Sequence, residues 1–132
     1  LITPYQPKQI VIYCGENDLA ASDTVGALHV LDRFRKLFRI IREKIPFAHI
    51  LYVSIKPSPI RAHLLSKVKQ SNKAIKAFLT QHKNVAFADV FMHMIDQEDK
   101  IREDIFLPDR LHLNTTGYKI WQAAITPYLL NE

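Results

Sequence analysis

Three short apolar runs, separated by longer segments with helical periodicity, constrain the fold of this chain more than any other feature. The runs occupy residues 10–13, 50–53 and 85–88, and Gly15 follows soon after the first of them. They are continuous rather than alternating, and they contain many β-branched and aromatic residues. Runs of this kind are typical of strands that are buried on both faces of a parallel sheet. The alternation of such strands with helices predicts an α/β fold with a parallel sheet.

Three segments have the periodicity and the end signals of amphipathic helices. The first ends at Pro46, and Ser22 or Asp23 is its predicted N-cap. The second is predicted to begin at Ser58, which is followed by a proline in the first turn, where the missing N–H costs nothing. The third is predicted to begin near Asn114. Strands and helices therefore alternate along the whole chain.

The first predicted strand, from Ile10 to Tyr13, is as apolar as the central strand of a sheet, yet three strands make a thin sheet. An apolar strand at a sheet edge is an aggregation liability, because its unpaired N–H and C=O groups can pair with another chain. The chain also starts at Leu1 rather than at Met, and its first residues lack the charged start and long apolar stretch of a signal peptide. We therefore expect one domain over residues 1–132 that is incomplete at its N-terminus, with a missing segment or a partner chain covering this strand.

Composition argues against several functional classes. The net charge is +5, but the basic residues are interspersed with acidic ones along the predicted helices and are not grouped with aromatic residues on one stripe. This pattern favours solvated helix faces over a nucleic-acid interface. The lone cysteine excludes an internal disulfide. No apolar run reaches the length of about 18 residues that a membrane span needs. The sequence leaves the cellular compartment open.

Directly after the first predicted strand comes the sequence Gly15-Glu16-Asn17-Asp18. Sites in open α/β sheets form beyond the carboxyl ends of the strands, so these residues lie where ligands bind. Gly15 would allow a tight turn, and the amide of Asn17 could donate a hydrogen bond to an oxygen that becomes negatively charged during a reaction. The alternative is an ordinary turn, in which glycine, asparagine and aspartate are common. Glu16 is expected to face either substrate or solvent.

A second polar motif contains Asp109 and His112, three residues apart. Residues at this spacing are neighbours in a tight turn or one helical turn, but they point to opposite faces of an extended strand. Asp109 could then accept a hydrogen bond from Nδ1 of His112, which would leave Nε2 free to take a proton from a nucleophile. The alternative is an aspartate that caps the following helix beside a surface histidine.

Taken together and in this order, the two motifs resemble those of the SGNH hydrolases, the GDSL-like esterases and lipases. Residues 10–18 match the third sequence block of that family, residues 109–118 match the fifth, and residues 54–59 are similar to a segment of one bacterial branch. The resemblance covers essentially the whole chain. It implies a three-layer α/β/α, flavodoxin-like sandwich and hydrolysis of a carboxylic ester through an acyl-enzyme, with no metal and no organic cofactor.

Carried over position by position, the resemblance implies that Asn17 donates to the oxyanion and that Gly15 shapes its loop. It also implies that His112 is the general base and then the general acid, and that Asp109 orients it. The family's first block, which holds the nucleophilic serine, and its second block both lie upstream of the third, and only nine residues precede Ile10 here. We therefore expect no nucleophile in this chain, and we expect the first two strands and their connecting helix to be missing.

Other nucleophile and metal candidates are expected to be structural. Ser54 is expected to be a hydrogen-bonded loop serine, Ser58 a helix cap and Cys14 a buried, unreactive thiol. No metal site is expected, and three further residues with suitable side chains are predicted to be solvated loop residues: Asp89, His93 and Asp96.

Two hypotheses about function follow. The first is a serine esterase whose N-terminal segment lies outside this chain and which acts on small-molecule, carbohydrate or lipid esters. The second is a catalytically inactive, truncated member of the same family that binds a ligand or a partner at the remaining cleft. The identity of the substrate stays open, because the missing segment and the loops would shape the acyl pocket.

Overall fold

The computed structural model describes residues 7–130, so the interpretation of residues 1–5 as the cut end of a chain lies outside the described part. Within it, strands and helices follow one another in the expected alternation. The strands are β1 (Gln9–Ile12), β2 (His49–Val53) and β3 (Val85–Ala88). The α-helices are α1 (Glu16–Ala21), α2 (Ala27–Lys44), α3 (Leu65–Leu79) and α4 (Thr115–Ile125).

The strands form one parallel sheet in the order β1-β2-β3. Ile50 of β2 lies opposite Ile10 of β1 on one side and opposite Val85 of β3 on the other. The central strand is inaccessible to solvent at Ile50, Leu51 and Tyr52, as expected of a strand that is covered on both faces. The three predicted strands are therefore confirmed to within one residue at each end.

Strand β1 pairs only with β2 among the described strands, so its other edge is unpaired within residues 7–130. Its apolar side chains are correspondingly accessible. Val11 is 48% exposed, and Tyr13, just beyond the strand, is 38% exposed. The apolar edge that the sequence predicts at this strand is present in the structure.

Helix α2 begins later than predicted. Ser22 directly follows α1, and its hydroxyl accepts a hydrogen bond of 3.2 Å from the backbone N–H of Thr24. Gly26 is the N-cap of α2, and the imidazole of His29 accepts a hydrogen bond of 3.1 Å from its N–H. The prediction of Ser22 or Asp23 as the N-cap is wrong, because the chain between the first two strands holds the additional short helix α1.

The second predicted helix begins at the expected place but not in the expected form. Residues Pro59–Leu64 form a 3-10 helix, and α3 follows it. Inside this segment Arg61 leaves the helical conformation, with φ −114° and ψ 29°. Ser58 precedes the segment, but its side chain makes no capping hydrogen bond. The prediction that Ser58 occupies the cap position, with proline in the first turn, is confirmed, but its hydroxyl donates to the carboxylate of Glu16 instead of capping the helix.

The side chains of β2 alternate between two apolar clusters on opposite faces of the sheet. Ile50 and Tyr52 pack with residues of α2 and α3, where the ring centroids of Phe34 and Tyr52 lie 5.0 Å apart. Val53 packs on the other face, together with residues that follow β3 and partly buried residues of α4, Trp121 among them. Helices cover both faces, so the three-layer α/β/α sandwich is confirmed. No helix within residues 7–130 has the length and apolar character to cross a membrane.

Candidate functional site

The chain turns sharply at Gly15, just beyond the carboxyl end of β1. The φ of Gly15 is 116°, a conformation that favours glycine because it has no side chain to clash with the backbone. A Cβ atom here would also lie 2.8 Å from Cδ1 of Ile55. Helix α1 begins at the next residue. The chain therefore makes a tight turn at Gly15, and the structure adds a short helix where the sequence suggests only a turn.

Asn17 lies in the first turn of α1 and is exposed. Its Oδ1 accepts a hydrogen bond of 3.2 Å from Nη1 of Arg61. Within residues 7–130, Nδ2 of Asn17 donates to no acceptor, so its N–H groups are available to a ligand. An available amide donor at the carboxyl edge of the sheet is the arrangement that an oxyanion site requires.

Asp109 and His112 lie in a tight turn that precedes α4 and is closed by a bridge between Phe106 and Leu113. Nδ1 of His112 lies 2.6 Å from Oδ2 of Asp109. The other carboxylate oxygen accepts hydrogen bonds from the backbone N–H groups of Leu111 at 2.9 Å and of His112 at 3.0 Å. The hydrogen bond from the His112 ring, followed by the two backbone hydrogen bonds, lowers the pKa of Asp109 to about 2.

The ionised carboxylate of Asp109 determines the tautomer of the imidazole. A carboxylate can only accept hydrogen bonds, so Nδ1 of His112 carries the hydrogen. In the neutral ring Nε2 then holds the lone pair that can accept a proton. The side chain of His112 is 65% exposed, so a reactant can reach this atom. The pair has the geometry of a general base with its orienting carboxylate.

A buried lysine links these two motifs. Nζ of Lys56 donates to Oε2 of Glu16 at 3.1 Å, and Glu16 precedes Asn17 in the chain. The same Nζ donates to the carbonyl of Leu111 at 3.0 Å, and Leu111 precedes His112. Because one ammonium group contacts a sequence neighbour of each, the two predicted motifs lie together at one edge of the sheet.

The carboxylate of Glu16 is the centre of this network. The sequence leaves two alternatives for Glu16, contact with substrate or with solvent. The second is wrong, since the residue is only 8% exposed. It accepts hydrogen bonds from the hydroxyls of Tyr13 at 2.7 Å and Ser58 at 2.8 Å, and from Arg61 at 3.1 Å. Burial raises the pKa of Glu16, but the Lys56 ammonium and the hydrogen bonds from Tyr13 and Ser58 outweigh it, so the pKa is lowered.

The sequence did not reveal Lys56 and Arg61 as residues of this network. The pKa of Lys56 is lowered by burial, which the nearby Glu16 carboxylate partly opposes. One signal was available: Lys56 is the only charged residue in the segment 50–59, and a lysine in an apolar segment needs a counter-ion if it is buried. Its partner, however, lies 40 residues upstream, and no local pattern identifies it.

The serine and cysteine candidates are engaged in structural contacts. Ser54 is fully buried, and its hydroxyl accepts hydrogen bonds from the backbone N–H groups of Val90 at 2.9 Å and Phe91 at 3.1 Å. The prediction of a hydrogen-bonded loop serine is therefore confirmed. Cys14 is half-buried, and burial raises the pKa of its thiol, which disfavours the reactive thiolate.

Two of the metal candidates, Asp89 and Asp96, are loop residues, whereas the prediction is wrong for His93, which lies in the short 3-10 helix Phe91–His93. Asp89 accepts a hydrogen bond from the backbone N–H of Met92, Asp96 accepts one from that of Glu98, and His93 is exposed. Across residues 7–130, no three or more His, Cys, Asp or Glu side chains are grouped in a way that could hold a metal ion.

The expectation that basic residues are not grouped with aromatic residues is wrong for one groove on the surface. A groove between α2 and α3 brings three arginines together with aromatic rings. Arg35 lies 5.9 Å from the ring centroid of Phe78, Arg42 lies 5.3 Å from that of Phe38, and Arg39 lines the same groove. The grouping combines two helices, so the sequence of α2 alone does not reveal it. The guanidinium of Arg42 also donates to backbone carbonyls near the ends of the strands, which is a structural role.

A family model described as the GDSL-like Lipase/Acylhydrolase family matches residues 2–120, which is most of the chain. No curated protein matches the sequence.

Solved structures share the fold. A protein described as a platelet activating factor from Streptococcus pneumonia has a TM-score of 0.79 at 22% identity, covering 93% of this chain and 60% of that one. A GDSL-like lipase from Bacteroides thetaiotaomicron has a TM-score of 0.77 at 21% identity, covering 92% and 62%. A carbohydrate esterase family 3 protein from Talaromyces cellulolyticus has a TM-score of 0.79 at 18% identity, covering 96% and 59%. This chain therefore spans 59–62% of the length of these structures.

Proposed function

Because the chain belongs to the GDSL-like lipase/acylhydrolase family, we propose that it is part of a serine esterase that cleaves a carboxylic ester through an acyl-enzyme. One observation carries the proposal. The segment with the Asp109–His112 pair and the segment with Asn17 meet at one sheet edge, where Lys56 donates to Leu111 of the first and to Glu16 of the second. A general base beside an oxyanion donor is the arrangement that acyl transfer requires.

The nucleophilic serine of the proposed enzyme lies outside this chain. In this proposal, residues 1–132 are the C-terminal part of one domain, and an upstream segment supplies the serine and the strand that pairs with β1. Two observations support it: the chain spans 59–62% of the length of the related structures, and β1 has an unpaired apolar edge within residues 7–130.

In the first half-reaction the serine hydroxyl attacks the ester carbonyl, and Nε2 of His112 takes its proton. Asp109 stabilises the imidazolium that forms and keeps the ring oriented. The carbonyl oxygen becomes an oxyanion, which accepts a hydrogen bond from Nδ2 of Asn17. When the tetrahedral intermediate collapses, His112 gives its proton to the leaving alkoxide, and the acyl group stays on the serine.

In the second half-reaction a water molecule attacks the acyl-enzyme. His112 takes a proton from the water and returns one to the serine, which releases the carboxylic acid. The proposed substrate is a small-molecule, carbohydrate or lipid ester. The related solved structures described as a GDSL-like lipase and a carbohydrate esterase support this substrate class.

The test uses the protein at its natural length with p-nitrophenyl acetate as substrate. We expect His112→Ala to lower kcat by about 10³-fold or more, because the general base is lost. The matched control is His93→Ala, since His93 is also an exposed histidine outside the strands and α-helices. Hydrolysis that survives His112→Ala at the wild-type rate would remove this site from the reaction.

A second candidate function is a non-enzymatic module that binds a ligand or a partner at the same cleft. It is favoured by one observation: the hydroxyls of Ser54 and Ser58 are committed to structural hydrogen bonds and cannot replace the missing nucleophile. If the natural-length protein has no upstream serine block and no hydrolytic activity, this candidate replaces the enzyme. The expectation for residues 1–132 alone is no hydrolysis of p-nitrophenyl acetate under either candidate.

A further inference from the structure

Arg61 contacts the proposed oxyanion donor. Its Nη1 lies 3.2 Å from Oδ1 of Asn17. A guanidinium has only donors, so the atom of Asn17 that faces it must be the oxygen. The orientation of the Asn17 amide is thereby fixed, and Nδ2 points away from Arg61. Without this partner an exposed amide can rotate by 180°, and only one of the two orientations presents the N–H donors to a reacting oxygen.

We propose that Arg61 is a positioning residue, which holds the amide of Asn17 in the orientation that donates to the oxyanion, and that the buried carboxylate of Glu16 holds Arg61 in place. The inference rests on the proposed function, because it assumes that Asn17 is the oxyanion donor.

Arg61 is itself held by Glu16. The same Nη1 lies 3.1 Å from Oε2 of Glu16, whose side chain is only 10% exposed. That carboxylate is fixed by three further donors, the hydroxyls of Tyr13 and Ser58 and the ammonium of Lys56. A carboxylate with four donors has little freedom to move. The position of the guanidinium is therefore set by groups that do not contact the reactants.

The guanidinium also acts on Asn17 through its charge. Two cations, Lys56 and Arg61, share the single negative charge of Glu16, so the network carries one net positive charge. A positive charge at Oδ1 polarises the amide, and hydrogen bonds in which one partner is charged are stronger than neutral ones. The polarised Asn17 is a better donor to a developing oxyanion than an isolated amide.

A purely structural ion pair would give a different result, and a double-mutant cycle separates the two. The protein is used at its natural length with saturating p-nitrophenyl acetate. Asn17→Ala is expected to lower kcat by about 10²–10³-fold through loss of the oxyanion donor. Arg61→Met, which removes the charge and keeps the length of the side chain, is expected to lower kcat by about 10-fold while KM changes by less than about 3-fold. In the Asn17→Ala background, Arg61→Met should change kcat by less than about 2-fold.

Arg33→Met is the matched control. Arg33 is also an arginine that pairs with a residue of α1. Its guanidinium donates to Asp18, the residue after Asn17, at 2.5 Å, but it does not contact Asn17. We expect this variant to keep the wild-type kcat. Arg61→Lys retains a donor and a positive charge, so it should recover part of the activity that Arg61→Met loses, and it serves as the test if Arg61→Met does not fold.

The inference is overturned if Arg61→Met lowers kcat equally in the wild-type and Asn17→Ala backgrounds, because Arg61 then acts elsewhere. It is also overturned if Arg61→Met and Arg61→Lys both keep the wild-type kcat. Both results leave the proposed function standing, provided that Asn17→Ala and His112→Ala lose activity. An unchanged kcat in Asn17→Ala would instead reject the oxyanion role of Asn17, and the inference falls with it.

Discussion

The carboxylate of Asp109 binds the ring of His112 through one oxygen, at 2.6 Å from Nδ1, and the backbone of its own turn through the other. The sequence leaves two interpretations of Asp109 open, a capping residue and the partner of a general base. The structure shows the contact with the ring, while the backbone contacts lie within the turn and the following helix is capped by Asn114 instead. The backbone hydrogen bonds fix the carboxylate, and the fixed carboxylate in turn orients the imidazole.

We predict that Asp109→Asn in the natural-length protein lowers kcat by about 10³–10⁴-fold, because an amide no longer fixes the tautomer or stabilises the imidazolium. The pKa of Asp109 is about 2, so its carboxylate is ionised throughout the range in which an esterase is assayed. Asp104→Asn is the matched control, since Asp104 is an exposed carboxylate that pairs with Arg102. A decrease of less than tenfold in Asp109→Asn would mean that this carboxylate does not orient the base.

The structural features that are formed by residues close together in the sequence could be predicted from it. The three apolar runs identify the strands, because a strand buried on both faces has a continuous apolar sequence. The spacing of Asp109 and His112 predicts their contact in a tight turn. Helix α4 begins next to Asn114 as expected, and Asn114 accepts a hydrogen bond from the N–H of Gly117 at 2.9 Å. In each case the residues involved lie within a few positions of one another.

The parts that depend on contacts between distant segments could not be predicted. Helix α1 is too short to show periodicity, and it is held by burial of Leu19, which is 1% exposed. Glu16 and Lys56 meet only because the ends of β1 and β2 are neighbours in the sheet. The orientation of Asn17 depends on Arg61, 44 residues away. Neither the periodicity of the sequence nor the spacing of its residues identifies such a pairing.

We predict that Asn72→Ala lowers the free energy of unfolding by about 3 kcal/mol, because it leaves a buried donor and a buried acceptor without partners. Oδ1 of Asn72 accepts a hydrogen bond from the N–H of Ile55 at 2.8 Å, and its Nδ2 donates to the carbonyl of Ile55 at 3.0 Å. The control on the same helix is Gln70→Ala, an exposed position where we expect a change within about 0.5 kcal/mol. Urea unfolding followed by circular dichroism measures both, and equal stability of the two variants would contradict the prediction.

We predict that Glu16→Gln weakens the dependence of stability on pH under acidic conditions. The pKa of Glu16 is lowered in the folded state, so its ionisation adds stability above the unfolded pKa of about 4.3, and this stability is lost as the pH falls through the folded pKa. At pH 7 the variant should be less stable by about 3 kcal/mol, because buried cations lose their counter-ion. The difference should shrink as the pH falls below the unfolded pKa, because the carboxylate of the unfolded wild-type chain then binds a proton before that of the folded protein does.

Urea unfolding between pH 3 and pH 7 tests this dependence. The control is Glu98→Gln, because Glu98 forms an ion pair with Lys100 in which both side chains are more than 70% exposed. The stability of this control should follow the wild type across the range. A stability difference between Glu16→Gln and the wild type that is constant from pH 7 to pH 3 would show that the ionisation of Glu16 is not linked to folding.

Two glycines at helix starts, Gly26 and Gly117, differ in the space around them. A Cβ atom on Gly117 would lie well inside van der Waals contact with the carbonyl oxygen of Ile105 and 2.9 Å from Cδ2 of Leu113, whereas one on Gly26 would meet nothing within 4 Å. Gly117→Ala should therefore lower the free energy of unfolding by about 3 kcal/mol through overpacking, and Gly26→Ala should change it by less than about 1 kcal/mol. The overpacked backbone leads into the turn that carries Asp109 and His112, so Gly117→Ala should also lower kcat. If the two alanine variants unfold at the same urea concentration, α4 can move away from this segment without loss of stability, and the close approach at Gly117 does not position the turn.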